Sequence, residues 1–141
     1  MTSGISLKDG VNFHGHLGPY LVLGILAGEL ALKELGCKKH FGLEVKVWGA
    51  TQRPKSCIID GLQLSTGATF GKGNISKLSG HILEIEIICS ESKKRAHITI
   101  KDDLRKQLER VSTHAESKSL ARAIYKAEPC GLFNLTINNR S

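Results

Sequence analysis

Apolar and polar positions along the chain alternate with two periods, and the periods mark out the elements. Leu21, Ile25, Leu32 and Leu35 share one helical stripe while Glu29, Lys33 and Glu34 lie opposite, which predicts a helix beginning near Pro19 and stopping at Gly36. Pro19 suits the first turn, where its missing N–H costs nothing. Gly24 and Gly28, four residues apart, lower helix propensity and so predict close packing of another element. Ser6 to Asn12 reads as a short lead-in turn or helix.

Leu43 to Ala50 alternates at period two, with Leu43, Val45 and Val47 on one face, and predicts a half-buried strand. Pro54 disfavours continuation, and Ser56 is placed to cap a second helix over Cys57 to Leu64. Gly67, Gly71 and Gly73 exclude regular structure after it. His81 to Cys89 and Ala96 to Lys101 alternate across a polar turn and read as a hairpin. Asp102 or Asp103 can cap a helix carrying Leu104, Leu108 and Val111. Thr113 and Glu116 match a capping box for another that buries Leu120, Ala121 and Ile124. Pro129 ends it, and Leu132 to Ile137 forms a last short strand. The order is that of a single α+β domain over residues 1–141, a mixed or antiparallel sheet packed against several helices.

Composition narrows the class. A chain of 141 residues with 40% hydrophobic and 23% charged residues supports one core, with disorder expected only at the two termini. No apolar run reaches the roughly 20 residues a membrane span needs, and Met1 to Lys8 lacks the apolar region of a signal peptide. The expectation is a cytoplasmic protein whose four cysteines, without a C-x-x-C pair, are reduced thiols. The net charge of +7 is concentrated in Lys93–Arg95 and between Lys101 and Lys126. With aromatics at only 5%, a solvated helix face accounts for that charge better than nucleic-acid binding.

Chemistry concentrates in two stretches. In Phe13-His14-Gly15-His16-Leu17-Gly18-Pro19, two imidazoles two residues apart point to one side if the segment is extended or turning, and both can face one metal ion or substrate. The competing reading is one buried, hydrogen-bonded histidine and one exposed. Cys57, at a helix start, is a thiolate candidate, either ligand or nucleophile, or simply a small buried thiol. Asp60, one turn on, is a ligand, a general base, an acceptor for an imidazole N–H, or a plain helix-face carboxylate. Two imidazoles and a thiolate suit a transition metal, zinc above all. Thr66 to Asn74 is rich in glycine but fails the nucleoside-triphosphate loop pattern, with three residues between Gly67 and Gly71-Lys72 and Gly73 where Ser or Thr should stand. It remains a candidate nest for a small anion through Gly67, Lys72, Gly73 and Asn74, or a turn packed against the His14–His16 segment.

Phe13-His14-Gly15-His16 with Pro19, Cys57-x-x-Asp60-Gly61-x-Gln63, and Thr66-Gly67 followed by Gly71-Lys72-Gly73-Asn74 together resemble the E-subunit-like family of formylmethanofuran dehydrogenase. The resemblance covers about the first two-thirds of the chain in order. It implies an α+β domain, often dimeric, with a metal or active-site cleft lined by the His-Gly-His segment and the cysteine of the second helix. It also implies association with a molybdenum or tungsten enzyme of one-carbon metabolism. The family pattern usually has a cysteine where this chain has Gly18, and commonly another where it has Ala68. The C-terminal cysteine-rich zinc-binding segment of many members is reduced here to Cys130.

Overall fold

The computed structural model describes residues 4–139. Its elements are α1 (Leu7–His14), α2 (Pro19–Leu35), β1 (Leu43–Trp48), α3 (Cys57–Thr66), β2 (Ile75–Leu78), β3 (Glu84–Cys89), β4 (Lys94–Ile100), α4 (Asp102–Arg110), α5 (His114–Lys126) and β5 (Phe133–Asn139), with a 3-10 turn at Pro129–Gly131. The sheet runs β2-β1-β3-β4-β5; β1 and β2 are parallel and every other pair is antiparallel. The α+β expectation with a mixed sheet therefore stands. The disorder expected at the termini concerns residues 1–3 and 140–141, which lie outside the described residues.

Alternate side chains of β1, β3 and β4, including Val45, Val47, Ile85, Ile87, Ala96 and Ile98, are buried, so helices cover one face of the sheet. The helix at the centre is α2, which is apolar on nearly all sides from Pro19 to Gly28. Its two glycines admit α3. A Cβ on Gly24 would lie 2.1 Å from the Ile58 carbonyl oxygen, and one on Gly28 would lie 2.0 Å from Ser65 Oγ. Gly61 answers from the other side, its Cβ position 2.1 Å from the Leu21 oxygen. Buried Ser65 fastens the contact by donating to the Gly24 and Gly61 carbonyls. Among the described residues, no single helix is long and apolar enough to cross a membrane.

Differences from the sequence reading have local causes. The strand β2 was not expected: Ile75-Ser-Lys-Leu78 is four residues long with apolar side chains only at its ends, and its pairing with β1 comes through the α3 crossover. The lead-in segment is a full helix that reaches His14, because Ser6 caps it by accepting from the Asp9 N–H. Lys101, not Asp102 or Asp103, occupies the N-cap of α4. The capping box of Thr113 and Glu116 forms as expected.

Candidate functional site

The site begins where α1 ends. Gly15 adopts φ +109°, a left-handed conformation open to glycine, and its N–H closes α1 on the Val11 carbonyl. That reversal turns His16 back over His14, with ring centroids 4.7 Å apart and planes tilted by 33°. The two histidines are therefore neighbours, but through a helix C-cap and not through extended backbone. The N-terminal residues of α2, from Gly18, and Cys57 at the start of α3 close the same pocket.

His14 is the best-defined group in it. Its Nδ1 lies 2.6 Å from Asp60 Oδ2, so the ring donates to the carboxylate. Only 9% of the His14 side chain is exposed, yet its Nε2 is buried without any partner among the described residues. A buried polar atom left unsatisfied costs about 1–3 kcal/mol and calls for a ligand, ion or water. Of the roles open to Asp60, the structure selects acceptor for an imidazole N–H.

His16 is exposed at the pocket mouth. Its pKa is held below the usual histidine value by burial of the ring, then by the neighbouring charges of His14, His114 and Lys118. One buried, bonded imidazole and one exposed imidazole is thus the placement found; the open Nε2 goes beyond it. Cys57 is partly buried at the first position of α3, but burial and then the Asp60 charge push its thiol pKa up against the opposing pull of Arg53. The expected thiolate stabilisation by the helix N-terminus is overcome. The N–H groups there are already spoken for: Cys57 N donates to Pro54 O and Ile58 N to Lys55 O. Ser56 likewise makes no side-chain cap.

Among the described residues, no three His, Cys, Asp or Glu side chains gather closely enough to hold an ion as they stand. The donor chemistry and the open Nε2 suit a transition metal, and His16 and Cys57 reach the same pocket wall without converging on one point.

The glycine-rich loop does not join this pocket. Cys57 and Gly67 flank a helix of 10 residues, about 15 Å long, so the two motifs occupy its opposite ends. Gly67, at φ +79°, presses on His40 instead of the His14–His16 segment. The loop also consumes its own polar groups. Thr69 N donates to Asn74 Oδ1, Asn74 Nδ2 donates to the His40 and Leu43 carbonyls, and Lys72 Nζ donates to Thr69 Oγ1. Gly73 N is bonded to Thr69 O, and Lys72 lies 5.5 Å from the Phe41 ring centroid. The expected grouping of Gly67, Lys72, Gly73 and Asn74 with the histidines is corrected by this geometry.

The pocket, about 130 Å³, adjoins two larger lobes of about 380 and 460 Å³; Tyr20 and Leu108 line all three. Tyr20, which no sequence pattern singles out, is shared by all three because it sits in the first turn of α2. Sequence reasoning left Cys37 and Cys89 without partners, whereas the Cys37 thiol donates to the Gly42 carbonyl at 3.0 Å and lies beside Cys89. Only strand register, which brings Cys89 opposite Leu43, reveals that meeting.

The fold agrees with the comparisons. Residues 13–134 match the family described as FmdE, Molybdenum formylmethanofuran dehydrogenase operon, and the chain belongs to that family. An FmdE-like protein of the tungsten formylmethanofuran dehydrogenase type, from Syntrophus aciditrophicus, shares the fold, with a TM-score of 0.67 at 18% identity over 100% of this chain and 78% of that one. A probable S-adenosyl-L-methionine-binding protein of Archaeoglobus fulgidus is 31% identical over 64 residues, 45% of this chain and 18% of that protein. The chain thus spans less than a fifth of the length of that relative.

Proposed function

We propose that this chain is a ligand-binding domain whose pocket takes a transition metal, zinc by its donor set, at His14 and His16. The observation that supports the reading is the bonding of His14, a pocket-lining residue: Asp60 fixes Nδ1 and leaves Nε2 buried and unpartnered. A carboxylate holding one ring nitrogen while the other meets a metal is the recurring way proteins orient such ligands. Cys57 is the third donor, and since its thiol pKa is raised, metal binding has to release its proton. Zinc held there would supply Lewis acidity toward a small ligand or water. Asp60 acts as a positioning residue for His14.

A second reading, an accessory or binding component of a molybdenum or tungsten enzyme system of one-carbon metabolism, draws support from the family's operon. A cytoplasmic homodimer belongs to both readings, with the exposed rings of Phe13, Phe41 and Phe70 as apolar surface for it. Elemental analysis by plasma mass spectrometry, on untagged protein and on the His14→Ala/His16→Ala double variant, tests the first. About one metal ion per chain, lost in the variant, is the expected result. No metal in the wild type after reconstitution rejects it and leaves the second, which pull-downs with the partner enzyme then examine.

A further inference from the structure

The N-terminus of α2 is buried and uncapped. Its N-cap is Gly18, which has no side chain to offer, and Pro19 follows at the first helical position. In any helix the first N–H groups have no intrahelical acceptor. Val22 N reaches the Gly18 carbonyl at 3.3 Å, whereas the N–H groups of Tyr20 and Leu21 find no acceptor among the described residues. Water does not readily serve them, since Leu21 is 1% exposed and Tyr20 9%. By contrast, α1 and α5 are capped by Ser6 and Thr113, and α3 by the preceding turn.

An independent feature meets this helix end. Gly18, Tyr20 and Leu21 line the same pocket as the unpartnered, nine-tenths buried Nε2 of His14. Charges of both signs act here: Asp60 and Arg53 on Cys57, His114 and Lys118 on His16, and Glu109 on Tyr20. Of the acids nearby, Asp60 is engaged by His14 and Glu109 pairs with Arg105. A buried, uncapped helix N-terminus favours negative charge.

We propose that the pocket is an oxyanion site: the backbone N–H groups of Tyr20 and Leu21 take the carboxylate or phosphate head of an organic anion. The apolar side chains of Pro19, Leu21, Leu108 and Val111 accept the part of the ligand next to the head, and the larger lobes beyond Tyr20 take the remainder. The proposal rests on the pocket being the ligand site, and it adds a charge balance. A divalent cation at His14 would add positive charge beside the positive end of α2, and an anion bound there offsets both, so metal and oxyanion should strengthen each other's binding.

The test is calorimetric titration of the full chain with acetate, benzoate and inorganic phosphate, first stripped of metal and then loaded with zinc. Wild type is expected to bind at least one probe, and the tighter head group identifies the ligand class. Gly18 has φ −143° and ψ 157°, a backbone suited to a capping side chain, and a Cβ there meets only the end of the His16 ring, at 3.4 Å. Gly18→Asp should therefore fill the site with its own carboxylate, abolishing probe binding while the melting temperature holds or rises. Gly18→Ala, which adds a methyl group but no acceptor, should retain probe binding that Gly18→Asp loses. Arg53→Gln/Lys118→Gln, which alters two exposed residues, should weaken binding about tenfold. Absence of probe binding in both metal states, or full binding by Gly18→Asp, overturns the proposal. Probe binding without metal uptake upholds it and rejects the metal; metal uptake with no response to any probe does the reverse.

Discussion

The two ends of α3 carry two motifs of similar promise and opposite outcome. At its start, His14 is fixed through one nitrogen and left open at the other. At its end, the loop from Gly67 to Asn74 is closed on itself, with Asn74 bonding in three directions and Lys72 held by Thr69 and stacked on Phe41. Glycine-rich backbone signals a tight turn before it signals a ligand. What marks a site is polar capacity that the fold leaves unsatisfied, and here that lies at one end only.

The strongest way to break the contrast is to remove what holds both ends. Gly61→Val would force a side chain into the Leu21 carbonyl, 2.1 Å from the Cβ position, and should cost about 3 kcal/mol or more. Urea denaturation should show this loss, and a near-wild-type midpoint would mean that α2 and α3 are not locked at that crossing. Asp60→Asn separates the ends: zinc affinity should fall about 10- to 100-fold while stability changes little. Unchanged affinity would strip Asp60 of its positioning role.

Asn74→Ala is the reciprocal change. It removes bonds to Thr69, His40 and Leu43, so stability should drop by about 1–3 kcal/mol with zinc affinity retained. A variant that lost metal but kept its midpoint would place the loop in the site after all. A smaller effect is expected in thiol chemistry. Burial and the Cys89 contact push the Cys37 pKa up to about 12, leaving roughly a thousandfold less thiolate at pH 8 than an ordinary thiol of pKa 9.0. Iodoacetamide should therefore label exposed Cys130 first and Cys37 and Cys57 slowly, with added zinc protecting Cys57 alone. Peptide mapping by mass spectrometry reads the order, and rapid labelling of Cys37 would contradict its burial beside Cys89.

The fold was legible wherever periodicity was strong. The stripe of α2, the alternation of β1, β3 and β4, and the capping box of α5 all translate directly into elements. Local pattern failed where long-range pairing decides, as at β2, whose four residues become a strand only beside β1. For the site, the residue types at His14, His16, Cys57 and Asp60 stood out, but their arrangement depends on Gly15 reversing the chain and on Gly24 and Gly61 letting α3 approach. The glycine loop follows the Cys57 helix directly in sequence, yet the 10 residues of that helix hold it at the end away from the pocket. Gly18-Pro19, opening a buried helix with no capping side chain, is the sequence signal of the start of α2.

The most direct test of the pocket is long-range proton–nitrogen correlation NMR of the His14 imidazole, recorded without and with zinc. The expected spectrum has the proton on Nδ1, where Asp60 accepts it, and a bare Nε2 whose resonance moves on adding zinc and not in the His14→Ala control. A proton found on Nε2, with no response of that nitrogen to zinc, would contradict the assignment of His14 as the open donor on which this reading of the pocket depends.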